Sequence, residues 1–210
     1  MKTQAQPVFN EIARRLADRL DDLLRKPTRA LITGTEAPIS HIIQQQYQHI
    51  AILSSTDTSL QTEPANLLIG HLPLSADVAQ VLAQATPLLA PDSPVILTLL
   101  GLGSFAETQS PPPLPDVRDI GDLPGIRKLS LPVIDRDRLT LTFENEAALH
   151  RTFEAHGWPL AALSNMNINK LTIEIIYIHG HTKGPNQPQP AKRGSGKVSM
   201  VKILHTNSES

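Results

Sequence analysis

The stretch "RALITGTEAPIS", residues Arg29 to Ser40, decides which fold the chain is expected to adopt. Ala30 to Thr33 is a short apolar run of the kind that forms a buried strand, and Gly34 follows it as a turn residue. In α/β proteins the turn between the first strand and the next helix often holds a nucleotide, through two or three glycines and an acidic residue. Only Gly34 supplies a glycine here. The stretch therefore raises the question of whether the fold has kept its cofactor site.

Composition limits the classes of protein to consider. A chain of 210 residues with 40% hydrophobic and 3% aromatic residues predicts one sizeable domain whose core is mainly Leu, Ile, Val and Ala. The absence of cysteine excludes disulfides, cysteine-ligated metals and thiol nucleophiles. A formal net charge of −1 gives no overall argument for nucleic acid or an anionic membrane. The longest apolar run, Pro94 to Gly103, is too short to span a bilayer, and we expect a cytoplasmic protein.

Short apolar strands alternate with amphipathic helices along the first half of the chain. This alternation predicts a mostly parallel sheet with helices on both faces. Ser75 is the predicted N-cap of the helix that contains Val78 to Leu88. The predicted strands are 30–33, 49–53, 65–72 and 95–100, and the other predicted helices are 8–25 and 37–46.

The second half predicts an antiparallel addition to this sheet. Two strands are expected on either side of a solvated turn at Asp135–Asp137, followed by a helix that ends at Gly157 and a long strand, Lys170 to Gly180. We therefore predict one α/β domain over residues 1–181. Residues 182–210 are predicted to form a polar, basic tail that is extended or disordered.

Motifs of the C-terminal half resemble a known family. "DVRDIGDLPGIRKLSLPVIDRDRLTLTF" followed by "IEIIYIHGHTKGPNQPQPAKRGSGKVS" is similar to the end of class I S-adenosylmethionine (SAM) methyltransferase-like proteins. These include alphaproteobacterial biotin-synthesis methyltransferase-like proteins and the related mitochondrial complex I assembly factors. The matching motifs are Arg118 to Gly121, Tyr177, Gly180, Gln187–Pro190 and Arg193–Ser195. The resemblance implies a reduced Rossmann-like methyltransferase fold with an antiparallel C-terminal strand pair.

The resemblance also implies positions for a site. The resemblance places His71 where it would contact a substrate. A histidine at the end of a strand and at the surface is the simpler interpretation, and we favour it. The implied cofactor-binding residues are Gly34, Glu36, Asp57 and Gly101, and the implied substrate-facing residues are His71 and Tyr177.

The cofactor loop departs from the family pattern. Ala37 and Pro38 stand where glycines would let the backbone approach the methionine part of SAM. Asp57 follows the second predicted strand several residues later than a ribose-binding acid should. The connection from Leu53 to Ala65 is too short for the helix and third strand that wall the adenine in the family. SAM binding is therefore conceivable by resemblance but not expected.

Two further features are weighed against simpler interpretations. His179 and His181 share one face of a strand, yet the sequence offers no identifiable third ligand, so we predict no metal site. The basic tail lacks interleaved aromatic residues, which argues against nucleic acid.

The sequence thus predicts a methyltransferase-family protein with a degraded cofactor site, non-catalytic and acting by protein binding, in an assembly or regulatory role. A protein partner is expected, and a homo-oligomer is an alternative. An active SAM-dependent methyltransferase with an atypical pocket remains open. Hydroxylation, which the resemblance to the mitochondrial proteins suggests, is a third alternative that also remains open.

Overall fold

The computed structural model describes residues 7–34, 36–163 and 169–185. Within these ranges lie six strands and six α-helices, with short 3-10 helices between some of them. The strands are β1 (Arg29–Gly34), β2 (Ala51–Leu53), β3 (Leu67–His71), β4 (Pro94–Leu100), β5 (Ser130–Thr142) and β6 (Lys170–His181). The α-helices are α1 (Pro7–Asp21), α2 (Glu36–Gln46), α3 (Val78–Ala85), α4 (Val117–Asp122), α5 (Pro124–Arg127) and α6 (Glu146–His156).

The strands form one six-stranded sheet in the order β2-β1-β3-β4-β6-β5. The first four strands in this order are parallel, whereas β6 is antiparallel to both β4 and β5. The predicted fold class is confirmed: a reduced Rossmann-like α/β sheet with an antiparallel C-terminal strand pair.

The connection between β2 and β3 has no room for another strand and helix. Every residue from 54 to 66 is described, and the segment contains one 3-10 helix, Thr58–Gln61, and no strand. β2 is therefore an edge strand, and the sheet lacks the third strand of the family, as the short connection predicts.

Helices cover both faces of the sheet, as the alternation predicts. On one face α1, α2 and α6 pack on the apolar side chains of β1, β3, β4 and β6. On the other face α3, α4 and α5 pack on the alternate side chains of the same strands. Strands buried on both faces explain the uninterrupted apolar runs of the sequence.

The first helix ends earlier than predicted. α1 stops at Asp21, four residues before the predicted end at residue 25, and Leu24 is fully exposed at 103%. Lys26 Nζ donates to the carbonyl oxygens of Leu20 and Asp21, so it satisfies the carbonyl groups at the helix end. Residues 23 and 24 continue the apolar spacing of a helix in the sequence, although neither belongs to α1.

The predicted N-cap of α3 is wrong by two residues. Asp77, not Ser75, caps this helix, because its Oδ1 accepts from the backbone N–H groups of Ala79 and Gln80 at 2.8 and 3.1 Å. A carboxylate is the stronger acceptor and also suits the positive end of the helix dipole. The second strand is shorter than predicted as well, since His49 lies in a turn before β2.

The predicted turn at Asp135–Asp137 is wrong. β5 runs continuously through it, with Asp135 opposite Tyr177 and Asp137 opposite Ile175 on β6. β5 is an edge strand whose side chains are largely exposed, so alternating acidic and basic residues do not interrupt it. The predicted helix end at Gly157 is confirmed by its positive φ of 63°.

The predicted tail is largely outside the described residues. β6 ends at His181, one residue beyond the predicted end of the last strand, and the description stops at residue 185. The Gln187–Pro190 and Arg193–Ser195 motifs also lie outside it. Within the described ranges, no helix combines the length and apolar character needed to cross a membrane.

Candidate functional site

The carboxyl ends of the parallel strands mark the edge where sheets of this class bind ligands. Gly34 ends β1 opposite His71, the last residue of β3. Gly34 has a φ of 81°, and a Cβ at this position would overlap the carbonyl oxygen of His71. The glycine is thus required by the neighbouring strand, whether or not a cofactor is present.

His71 is a core residue, so the expected surface histidine is wrong. Its exposed fraction is 4%, and its Nδ1 lies 2.9 Å from the hydroxyl of Thr98 on β4. The ring of Phe9, from α1, contacts it edge-on at 5.6 Å. Burial, with a smaller contribution from the nearby His156, lowers the pKa of His71 to about 4. The imidazole is therefore neutral at pH 7.

A second, half-buried histidine completes this arrangement. The ring of His156 stacks on Phe9 at 3.9 Å and lies 4.5 Å from that of Trp158. Its Nδ1 donates to the carbonyl oxygen of Thr152 at 2.7 Å, which leaves Nε2 as a buried acceptor with no partner among the described residues. Burial also lowers the pKa of His156. We call Phe9, His71, Thr98, His156 and Trp158 the histidine cluster.

Sequence analysis did not find most of this cluster. Phe9 and His156 occupy positions on helices far from His71 in the chain, and only the packing of α1 and α6 onto one face brings them together. The available signal was the aromatic content, because the chain has only 3% aromatic residues and several of them meet here.

Gly101 and Gly103 follow β4 and lie against a buried carboxylate. A Cβ at Gly101 would lie 2.6 Å from Glu174 Oε1, and a Cβ at Gly103 would lie 2.6 Å from Glu174 Oε2. The Gly103 N–H donates to Glu174 Oε1 at 3.1 Å, and Arg138 Nε donates to Oε2 at 3.1 Å. The two glycines thus make room for Glu174, whose exposed fraction is 1%.

The expected acidic residues lie on separate elements. Asp57 caps the 3-10 helix after β2, where its Oδ1 accepts from the Ser59 N–H at 2.9 Å. These contacts with Ser59 lower the pKa of Asp57. Glu36 is the first residue of α2. Both lie on the carboxyl side of the sheet, yet neither belongs to the histidine cluster.

Tyr177 lies in the same row across the sheet as Gly34, His71 and Thr98. It is in the middle of β6, opposite Thr98, and is 1% exposed beneath α1. The guanidinium of Arg19 lies over its ring at 4.0 Å. Tyr177 therefore packs in the core, and its expected contact with a substrate stays a prediction.

The cavities of the described residues differ in size and place. The one beside the end of β1, between Thr33, Ser55 and Val81, has a volume of 70 Å³, well below the roughly 300–1,000 Å³ of small-molecule sites. A cavity of 410 Å³ lies beyond the end of β5, between Val8, Phe143 and Arg151. Among the expected cofactor residues whose side chains are described, Gly34, Asp57 and Gly101 line neither cavity.

A larger cavity than these two lies at the opposite edge, where the parallel strands begin. This groove has a volume of 730 Å³ and runs between α3, the residues before β4, α5 and the chain after β6. We call it the amino-edge groove.

His179 and His181 lie on the same face of β6, as the alternation predicts. The described part of the chain contains no group of three His, Asp or Glu side chains placed to hold a metal ion. Burial, with a smaller effect from the charge of Arg19, lowers the pKa of His179 to about 4.

Comparison with known proteins confirms the resemblance drawn from the sequence. No protein-family model matches the chain. The chain is 23% identical over 211 aligned positions to the mitochondrial arginine-hydroxylase NDUFAF5 of Dictyostelium discoideum. The alignment covers 87% of this chain and 48% of the relative. The chain therefore spans about half the length of the curated relative it matches.

Solved structures of methyltransferases are similar at low identity. The Haemonchus contortus phosphoethanolamine N-methyltransferase 2 in complex with SAM has a TM-score of 0.42 at 12% identity, covering 86% of this chain and 39% of that one. The plantazolicin methyltransferase BpumL in complex with S-adenosylhomocysteine has a TM-score of 0.45 at 10% identity, covering 87% and 86%. The YcgJ protein of Bacillus subtilis has a TM-score of 0.49 at 10% identity, covering 81% and 99%. Since these scores lie below 0.5, the fold assignment depends on the strand order of the sheet itself.

Proposed function

We propose that the chain is a SAM-methyltransferase-family protein that has lost its cofactor site and acts by binding another protein, in an assembly or regulatory role. The observation that carries this proposal is the packing of the carboxyl edge. The cavity beside the end of β1, where the family resemblance puts the cofactor, measures 70 Å³, and this small volume supports the proposal.

The first argument concerns the methionine end of the cofactor. The Gly34 backbone lies directly against the carbonyl of His71, so the turn is closed by the neighbouring strand. Ala37 and Pro38 follow in α2, and neither has the backbone freedom of glycine. On the side that faces β3, the turn therefore leaves no room for a ligand.

The second argument concerns the adenosine end. The family walls the adenine with a third strand and its helix, and residues 54–66 form neither. Asp57 is engaged in capping the 3-10 helix, where its carboxylate accepts from Ser59. The ribose would therefore have to compete with an existing hydrogen bond for Asp57, the first acid that follows β2.

The third argument concerns what remains for a partner. Leu131 and Val133, near the start of β5, are 60% and 56% exposed. Adjacent exposed apolar side chains on an edge strand provide apolar contact area for another protein. We also propose a cytoplasmic location.

One observation favours an active methyltransferase as the second candidate. The 410 Å³ cavity beyond the end of β5 is large enough for a small substrate. In that case Glu36 would hold the amine of SAM, Asp57 its ribose, and His71 would face the substrate. Methyl transfer needs little acid–base help, since the sulfonium is already activated and positioning supplies much of the rate.

Ligand-linked stability distinguishes the two candidates without knowledge of the substrate. A ligand at 100 times its dissociation constant raises the unfolding free energy by about 2.7 kcal/mol. We expect urea unfolding to give the same midpoint with and without millimolar SAM or S-adenosylhomocysteine. A higher midpoint with these ligands, but not with adenosine or methionine, would support the enzyme and reject our proposal.

A further inference from the structure

The amino-edge groove is an apolar surface without a role in the proposed function. Its floor is formed by one face of α3 together with Leu89 and Leu129, and Lys128 and Lys183 stand at its rim. Ala83 lines the groove and is exposed. A groove of 730 Å³ accommodates several apolar side chains, since a ligand site of this size holds a drug-sized molecule.

The chain leaves the sheet at the wall of this groove. Thr182, directly after β6, is 5% exposed and lines the groove. Its backbone N–H donates to the carbonyl of Ser93 at 2.9 Å, and its hydroxyl accepts from the Ser93 N–H at 2.9 Å and donates to the carbonyl of Ala90 at 2.8 Å. Everything C-terminal to Lys183 is therefore tethered beside the groove.

The sequence after residue 185 contains one apolar cluster. Residues 186–199 and 205–210 are almost entirely polar, proline or glycine, whereas "MVKIL", Met200 to Leu204, is apolar at four of its five positions. Met200, Ile203 and Leu204 have the i, i+3, i+4 spacing that places three side chains on one face of a helical turn. Lys202 would then point away from that face.

The tether is long enough to place this cluster in the groove. Fourteen residues, 186–199, separate the end of the described chain from Met200, and an extended segment of this length spans roughly 45–50 Å. Since the tether starts at the groove wall, this reach exceeds what is needed. A short tether also gives the segment an effective concentration on the order of millimolar at the groove.

We propose that residues 200–204 of this chain dock in the amino-edge groove, with Met200, Ile203 and Leu204 against α3 and Leu129. Docking buries the apolar side chains of residues 200–204 against the apolar floor of the groove. The covalent link makes the chain's own segment the favoured occupant. The polar residues between them remain outside the groove. This inference is independent of whether the protein binds SAM.

Thiol labelling tests the proposal, because the chain contains no cysteine. A cysteine introduced by Ala83→Cys lies in the groove. One introduced by Gln84→Cys lies on the same helix, is also exposed and is outside the groove. Each is labelled with a maleimide in the full chain, with and without Ile203→Asp. Thr206→Asp adds the same charge outside the apolar cluster and serves as the matched control.

We expect the Ala83→Cys thiol to react about tenfold faster when Ile203→Asp is present, which corresponds to about 1.4 kcal/mol of docking free energy. With the Thr206→Asp control, the Ala83→Cys thiol should remain slow to react. The Gln84→Cys thiol should react at the same rate in the unmodified tail and with either tail substitution. Equal rates at position 83 with and without Ile203→Asp would overturn the proposal, whether both are fast (an open groove) or both slow (another occupant, such as a second copy of the chain). Circular dichroism of each variant shows whether the domain remains folded, and the rate at position 84 reports changes in thiol reactivity that do not involve the groove.

Discussion

His71 is a neutral histidine at the end of a buried strand, and its environment has a consequence for stability. Its pKa in the folded chain is about 4, against an ordinary value of 6.5. Below pH 6.5 the imidazole of His71 binds a proton in the unfolded chain but not in the folded chain. The folded state therefore loses stability as pH falls. Burial lowers the pKa values of His156 and His179 as well, so they act in the same direction.

We predict that the unfolding free energy decreases between pH 6.5 and pH 4, with about 3 kcal/mol of the decrease arising from His71. His71→Asn keeps a polar atom near Nδ1 for Thr98 but cannot take up the proton, so its stability should be lower at pH 7 and should change less with pH. Urea unfolding at half-unit pH steps measures this. His41→Gln, at an exposed site on α2, is the control and should behave as the unmodified chain. An identical pH slope in His71→Asn would contradict the account.

Glu174 gives a second prediction at this scale. Its carboxylate is 2% exposed, whereas the side chains of Arg136 and Arg138, at 3.6 and 3.1 Å, are 52% and 62% exposed. Removing both arginines leaves a buried charge with few partners, at a cost of about 3 kcal/mol or more. Removing the carboxylate leaves two arginines that can turn into water, at a cost of about 1 kcal/mol.

Arg136→Gln/Arg138→Gln should therefore be less stable than Glu174→Gln, and the triple variant should regain stability relative to the double variant. Chemical denaturation of the four proteins measures these differences. A triple variant less stable than the double variant would show that the carboxylate contributes through something other than its pairing with the arginines.

The sequence could predict some of these residues and not others. The turn at Gly34 was predictable from its neighbours in the chain, because the strand and helix around it are local patterns. The burial of His71 was not, since it depends on Phe9 and His156, which only the packing of α1 and α6 brings close. The glycines after β4 suggested a cofactor, whereas a distant acid in an apolar strand, Glu174, explains them.

β2 is the weakest element of the sheet. It has three residues, pairs only with β1 and is partly exposed, whereas β3 is buried along its whole length. Local opening is easiest for short, exposed elements with few buried contacts. The missing third strand would have protected β2.

Native-state hydrogen exchange should follow this difference. We expect the amides of β2 to exchange fastest among the six strands, and those of β3, β4 and the central part of β6 to exchange slowest. Mass spectrometry of labelled peptides, or amide-resolved NMR, checks it. Protection of β2 equal to that of β3 would indicate that a partner or a second copy of the chain covers this edge.

The edge at β5 shows why a local pattern can mislead. Asp135, Arg136, Asp137 and Arg138 interrupt the apolar sequence and therefore suggested a turn. On an edge strand such charges are tolerated and discourage pairing with other sheets. Only the continuous register against β6 distinguishes the two structures, and that register involves residues more than thirty positions away.

For the whole molecule, the alternation of strands and helices predicted the parallel sheet, its two covered faces and the antiparallel final pair. Chain length alone predicted the missing third strand, because residues 54–66 are too few to form it. The amino-edge groove and the packed carboxyl edge were not predictable, since both are formed by helices that meet only in the folded domain.

The central claim is our proposal that this chain, which resembles SAM-dependent methyltransferases, does not bind SAM. Calorimetric titration with S-adenosylhomocysteine, and then SAM, tests it most directly, with Glu36→Ala and Asp57→Ala as variants that remove the remaining candidate ligands. We predict no saturable heat for any of the three proteins at millimolar ligand. Saturable binding to the unmodified chain that is weakened by either variant would contradict the claim and show that the turn at Gly34 still holds a cofactor.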